Sequence, residues 1–275
     1  MPDLVAQVSR HLHTVQTLQE MALDAKLLPL IQGVQAWQTL RMQSTHQAHM
    51  SNPDTAPALA FFVEQIYGPK DFSQRDADIK RVVPKMHKYM PSKALFSLES
   101  ALRLHALSYE LDYVLALELK KHVTAANRQF VTPNQTDANK RIIINQQTYA
   151  AAFVSGHNGH LRQEQISLLE ELGNNLSDAV AIKGVAMMLA LSKHPARMKG
   201  LQTLHLFLQD GYKAFKKIPN SQTFMREIIS KEAHLVALLF TKEVFPKEVL
   251  TKQQLFQQGT NPLPCIPSIE ILLES

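Results

Sequence analysis

Leucine and other large apolar residues recur along this chain at steps of three and four, and that spacing restricts it to packed helices. The longest stripe covers residues 92–122. There Leu95, Leu98, Leu102, Leu104, Leu107, Leu111, Val114, Leu115 and Leu119 leave the helix almost no polar side. A helix that is apolar on most sides belongs at the middle of a core. Upstream, Val5, Val8, Leu12, Val15, Leu18 and Ala22 predict a helix over 3–26, with Asp3 as its N-cap. Pro29 breaks that helix or opens the next, whose stripe is Leu30, Val34, Trp37 and Leu40. A polar stretch and the turn signal Ser51-Asn52-Pro53-Asp54 follow. Leu59, Phe62, Val63 and Ile66 then mark a helix over 55–67, which Gly68-Pro69 ends through a left-handed glycine cap. A short helix over 76–83 runs into Pro84.

The second half reads in the same way. Residues 124–139 are polar and contain Pro133-Asn134, the best internal loop or half-boundary. Ile142-Ile143-Ile144 has β character but is short and isolated, so it reads as the entry to a helix ending near Val154. Four helices are expected near 160–172, 177–192, 196–217 and 221–242. Gly173, His194-Pro195 and Pro219-Asn220 separate them, and Ser177 and Ser221 serve as caps. Met187, Met188 and Leu189 to Leu191 read as core. Leu204, Phe207, Leu208 and Tyr212 repeat the spacing of Leu59, Phe62, Val63 and Tyr67, which shared helical periodicity explains. The expected fold is all-α, a multi-helix bundle of about nine or ten helices, with two helical halves meeting near 124–139. One domain covers 1–258, and a Pro-rich tail covers 259–275.

With 45% apolar residues in 275, the chain can bury a sizeable core. Its net charge of +5 reads as a well-solvated surface. Lys and Arg are spread along the chain. The densest groups are Lys80, Arg81, Lys85 and Lys88, then Lys213, Lys216 and Lys217, neither interleaved with aromatics as a nucleic-acid platform would be. The second lysine group falls in the last turns of a helix, where the helix dipole favours cations. The one cysteine, Cys265, excludes a disulfide framework within the chain. The opening residues lack the pattern of a secretion signal, and no apolar run is long enough to span a membrane. A cytoplasmic location is expected.

The string Phe61-Phe62-Val63-Glu64-Gln65-Ile66-Tyr67-Gly68-Pro69-Lys70-Asp71-Phe72, followed by Arg75-Asp76, resembles the signature of the bacterial FFLEE-motif family. Val63 stands where that family's motif has Leu, and Gln65 where it has the second Glu. Further matches lie at Leu107 to Asp112, Gln165-Ile166, Pro195-Ala196-Arg197, Leu204 to Phe215 and Phe224 to Glu232. The resemblance implies a bacterial helical protein and brings no activity and no functional residue with it.

Familiar chemistry is missing. No HExxH or Glu-x-x-His pair occurs among the twelve histidines, so neither a zinc-protease nor a di-iron pattern is present. His46 with His49 and His157 with His160 would each need further ligands. No nucleophile elbow, phosphate-cradling loop or dinucleotide fingerprint is found, and no metal or other cofactor is expected. The most distinctive segment is the corner from Glu64 to Asp76. As structure, Tyr67 and Phe72 anchor it, Asp71 caps the next turn, and Arg75 pairs with a carboxylate. As a ligand-binding site, Glu64, Tyr67, Asp71, Arg75 and Asp76 line a polar pocket for an anionic or amide group. The function expected first is a non-enzymatic interaction or regulatory module that offers a helical face to a protein partner or to itself. A bundle that binds an apolar or haem-like molecule is the first alternative, and a nucleic-acid binder the second.

Overall fold

A computed structural model describes residues 4–66, 68–86, 92–129, 141–240 and 261–273. Among these it contains eleven helices and two short strands. The helices are α1 (Leu4–Asp24), α2 (Leu28–Thr45), α3 (Gln47–Met50), α4 (Ala56–Gln65), α5 (Ser73–Met86), α6 (Ser92–Gln129), α7 (Gln146–Ser155), α8 (Gly159–Ala181), α9 (Val185–Met198), α10 (Gln202–Lys216) and α11 (Ser221–Phe240). The strands are β1 (Arg141–Ile144) and β2 (Ile269–Leu272). The all-α architecture therefore holds. Asp3, Tyr67, most of the 124–139 segment and residues 241–260 lie outside the described residues.

The chain forms two compact units, each assembled from three separate stretches. The first takes residues 1–15, 46–106 and 167–229, and the second takes 16–45, 107–166 and 230–275. Helices α1, α6, α8 and α11 each supply residues to both. In the first unit, α10 packs on α4, α5 and α9. Val8, Leu12, Ile79, Val83, Leu95, Leu98, Leu102 and Leu204 bury against one another there. Gly211 on α10 lets the Phe61 ring approach, since a Cβ at that position would lie 2.8 Å from it. In the second unit Trp37 is fully buried and stacks on Tyr149 with ring centroids 4.3 Å apart. Leu30, Ile31, Val34, Leu115 and Leu119 complete that core.

Several local expectations are corrected. Ile142 to Ile144 is a strand, paired antiparallel with the C-terminal β2 in the register Ile142↔Ile271 and Ile144↔Ile269. Ile142 and Ile144 point inward while Ile143 is exposed, an alternation that a helix entry does not have. The Pro-rich tail is therefore docked through this pairing. Leu263 is buried, its carbonyl accepts a hydrogen bond from the Gln146 side chain, and Ile271 lies against Gly33 of α2. Asn145 and Thr148 form a reciprocal capping box that starts α7 directly after β1.

Gly173 does not separate two helices. It lies inside α8, where a Cβ would come within 2.6 Å of the Met225 side chain, so close packing accounts for it. Ser177 is not a cap but bonds back to the Gly173 carbonyl at 2.8 Å. The break falls later, at Gly184 with φ of 92°. Pro195 lies within α9, and Gly200 with φ of 65° follows its end. The cap of α11 is Asn220 rather than Ser221, its side chain accepting from the Thr223 amide at 3.0 Å. The largest correction concerns α9, which contains no buried residue, so Met187, Met188 and Leu191 are not core.

Candidate functional site

The corner between α4 and α5 is built from its own side chains. Asp71 accepts hydrogen bonds from the Ser73 amide at 2.9 Å and from the Ser73 hydroxyl, and these bonds hold its carboxyl below the usual range. Glu64 is exposed, 3.4 Å from the Lys70 ammonium. Arg75 turns inward and is 5% exposed. Its Nε donates to Asp76 at 2.8 Å and its Nη1 to the Gln65 carbonyl at 3.0 Å. The guanidinium lies over the Phe72 ring at 4.2 Å and near the Phe207 ring at 5.2 Å, where cation–π attraction offsets part of its burial. Of the five residues singled out in the sequence, Arg75 and Asp76 are thus brought together. Glu64 and Asp71 make separate contacts, and Tyr67 lies outside the described residues.

A further member, His105 on α6, was not singled out. It is 6% exposed, its ring is edge-on to Phe72 at 5.4 Å, and its Nε2 stands 3.7 Å from Asp76, too far for a hydrogen bond. Burial, then the nearby Arg75 charge, push its pKa down to about 3, although a hydrogen bond to the Ile66 carbonyl opposes this. The ring is therefore neutral at pH 7. Burial raises the Asp76 carboxyl, and the Arg75 charge holds it back. A polar histidine inside the apolar 92–122 stripe was the available signal.

Beside this cluster the first unit is open. A groove of about 680 Å³ runs between α4, α9 and α10. Its walls include Ala60, Phe61, Ala186, Leu189 and Tyr212, and Lys213, Lys216 and Lys217 stand among its polar residues. Val185, Leu189, Ser192 and Ala196 of α9 are only half covered. The stripe Met187, Leu191 and Met198 is 66%, 71% and 76% exposed. Residues 182–217 carry seven Lys and Arg against Asp210 alone, which exceeds the net +5 of the whole chain. Of these cations Lys213, Lys216 and Lys217, all from α10 and the residue after it, line the groove.

The second unit has its own buried carboxylate. Asp112 on α6 accepts from Gln38 at 2.9 Å and from Gln35 at 3.2 Å, both on α2. Burial raises its pKa to about 6, opposed by the Arg162 charge and the two amides. Nearby, Arg41 makes two 2.6 Å bonds to Glu232. These groups fasten α2 to α6 and α11 from within, which is a structural arrangement.

Among the described residues no group of three or more His, Cys, Asp or Glu is placed to hold a metal ion. No described helix alone is long and apolar enough to cross a membrane. The pair α8 and α9 passes on composition only when taken together, with an 89° bend between them. No curated protein and no solved structure matches the chain. One family model matches residues 17–246, most of the length, and the chain belongs to that family, described as a domain of unknown function (DUF8198).

Proposed function

We propose that this is a non-enzymatic interaction module whose first unit docks an acidic amphipathic helix of a partner protein against the exposed stripe of α9. The observation that carries the reading is an apolar helix with no buried residue, Met187, Leu191 and Met198 facing solvent in one stripe. Exposed apolar surface of this kind marks a binding surface, and methionines suit one that must adapt to its occupant. The surplus of seven cations over one acid selects an acidic partner and opposes a second copy, which brings the same positive face. The resemblance of Phe61 to Phe72 to the FFLEE-motif family, the single cysteine and the helical composition support a bacterial, cytoplasmic setting.

The test is a titration of the full chain with a synthetic acidic amphipathic helical peptide. A sequence-matched basic peptide, anionic vesicles, a DNA duplex and the chain itself serve as competing occupants. The expected result is saturable binding of the acidic peptide that weakens as salt rises and is lost in Leu191→Asp. Equal binding of both peptides, an unaffected Leu191→Asp, or preference for vesicles, duplex or self-association overturns the proposal.

A further inference from the structure

The two-stranded ribbon of the second unit has an open edge. β2 pairs with β1 on one side, and among the described residues no backbone pairs with its other side. The strand is held in place by its own unit. Ile271 lies against Gly33 of α2, and Leu263 upstream of it is buried. Burial is uneven across the ribbon. The inward side chains of β1, Ile142 and Ile144, are fully buried, whereas those of β2, Ile269 and Ile271, are half-buried. The apolar layer beneath the ribbon therefore runs on past β2. On the outer face Leu272 is 64% exposed.

An unpaired edge presents a row of backbone donors and acceptors that another strand can satisfy, and proteins that keep such an edge free place Lys, Pro or a bulge on it. Residues 269–272 contain no Lys and no Pro, and the register with β1 runs without a bulge. The one charge on the strand, Glu270, is paired with Arg141 of β1 at 2.7 Å. The edge is thus near neutral, in contrast to α9, and does not repel a copy of itself. Directly opposed residues share a face, so two antiparallel copies of β2 keep both apolar layers on one side only where inward residues oppose inward residues. Two such registers overlap the strands most fully. Centring on Glu270 opposes two like charges, which is unfavourable. Centring on Ile271 opposes Ile271 to its counterpart, Ile269 to Leu273 and Glu270 to Leu272, so every inward residue meets an apolar one and no like charges are opposed.

We infer that the open edge of β2 pairs antiparallel with β2 of a second copy of this chain, in the register centred on Ile271. The two ribbons then form one four-stranded antiparallel sheet with a continuous apolar face, related by a two-fold axis through Ile271. Such a sheet is more stable than a lone two-stranded ribbon. This edge belongs to the second unit and is independent of the α9 docking surface, so its failure would leave that reading untouched.

Sedimentation equilibrium of the full chain is expected to show monomer and dimer in exchange at concentrations up to about 1 mM. Leu272→Glu places a carboxylate opposite Glu270 of the second copy, twice per dimer, and should weaken association at least about tenfold. Within its own chain the same side chain faces Arg141, so its melting temperature should not fall, and loss of the dimer is not loss of the fold. The register is read by disulfide trapping in a Cys265→Ser background. Glu270→Cys mixed with Leu272→Cys should cross-link faster than either variant alone, because only the mixed pair is directly opposed. Leu191→Asp should leave the dimer intact. A chain that stays monomeric to about 1 mM, a dimer untouched by Leu272→Glu, a dimer lost in Leu191→Asp, or trapping without preference for the mixed pair overturns the inference.

Discussion

Each compact unit shields a carboxylate from solvent, Asp112 buried and Asp76 half-buried, and the two are handled differently. In the second unit Asp112 is bonded by two neutral amides, Gln35 and Gln38, and burial raises its pKa to about 6 against the opposing Arg162 charge. In the first unit Asp76 keeps a full countercharge in Arg75, and the histidine beside them takes the cost, with a pKa lowered to about 3. The second arrangement fastens helices. Buried polar atoms without a hydrogen-bond partner occur in both units, Arg75 Nη2 and His105 Nε2 in the first and Trp37 Nε1 and Asn158 Oδ1 in the second.

The comparison breaks first on acid titration. His105 has a depressed pKa, so its contribution is complete above about pH 6.5 and is lost as pH falls toward 3, for a total of about 5 kcal/mol. Urea unfolding of wild type at pH 7 and pH 4 should show this loss, and His105→Gln should flatten it. An equal acid slope in the variant removes His105 from the account. Next, Arg75→Ala leaves the half-buried Asp76 without its countercharge and should cost about 3 kcal/mol in unfolding free energy at pH 7. A melting temperature within a degree or two of wild type would show that the pair is not buried.

Asp112 responds with the opposite sign. Its pKa is raised, so its contribution is complete below about pH 3.8 and is lost as pH rises through about 6, for a total of about 3 kcal/mol. Asp112→Asn keeps the hydrogen-bonding shape and should remove that slope from hydrogen exchange of the second unit's amides. Last and smallest, Leu191→Asp on the exposed stripe should change stability by less than about 0.5 kcal/mol while abolishing docking of the acidic peptide. A larger loss would mean that α9 is covered in the free chain.

Periodicity was enough to read the rods, because a stripe such as Leu95 to Leu119 has no other way to be buried. It failed where the deciding contact was distant in sequence. Ile142 to Ile144 became a strand only through Ile269 to Leu272, and no local window contains both. Gly173 looked like a break because the Met225 side chain that explains it belongs to another helix. The same limit hid the exposed apolar face of α9. Apolar α9 looks like core in sequence, since composition does not report what covers a helix. At the corner, the chemistry of Arg75 and Asp76 was legible from adjacency, while His105 arrives from α6.

The most direct test of the exposed face is oxidative footprinting of methionines in the dilute free chain, read by mass spectrometry. Met187 and Met198 should oxidise at least about tenfold faster than the buried Met42 and Met225, and should become protected when the acidic peptide is added. Protection of the α9 methionines in the free, monomeric chain would contradict the account, because the face proposed to await a partner would already be covered.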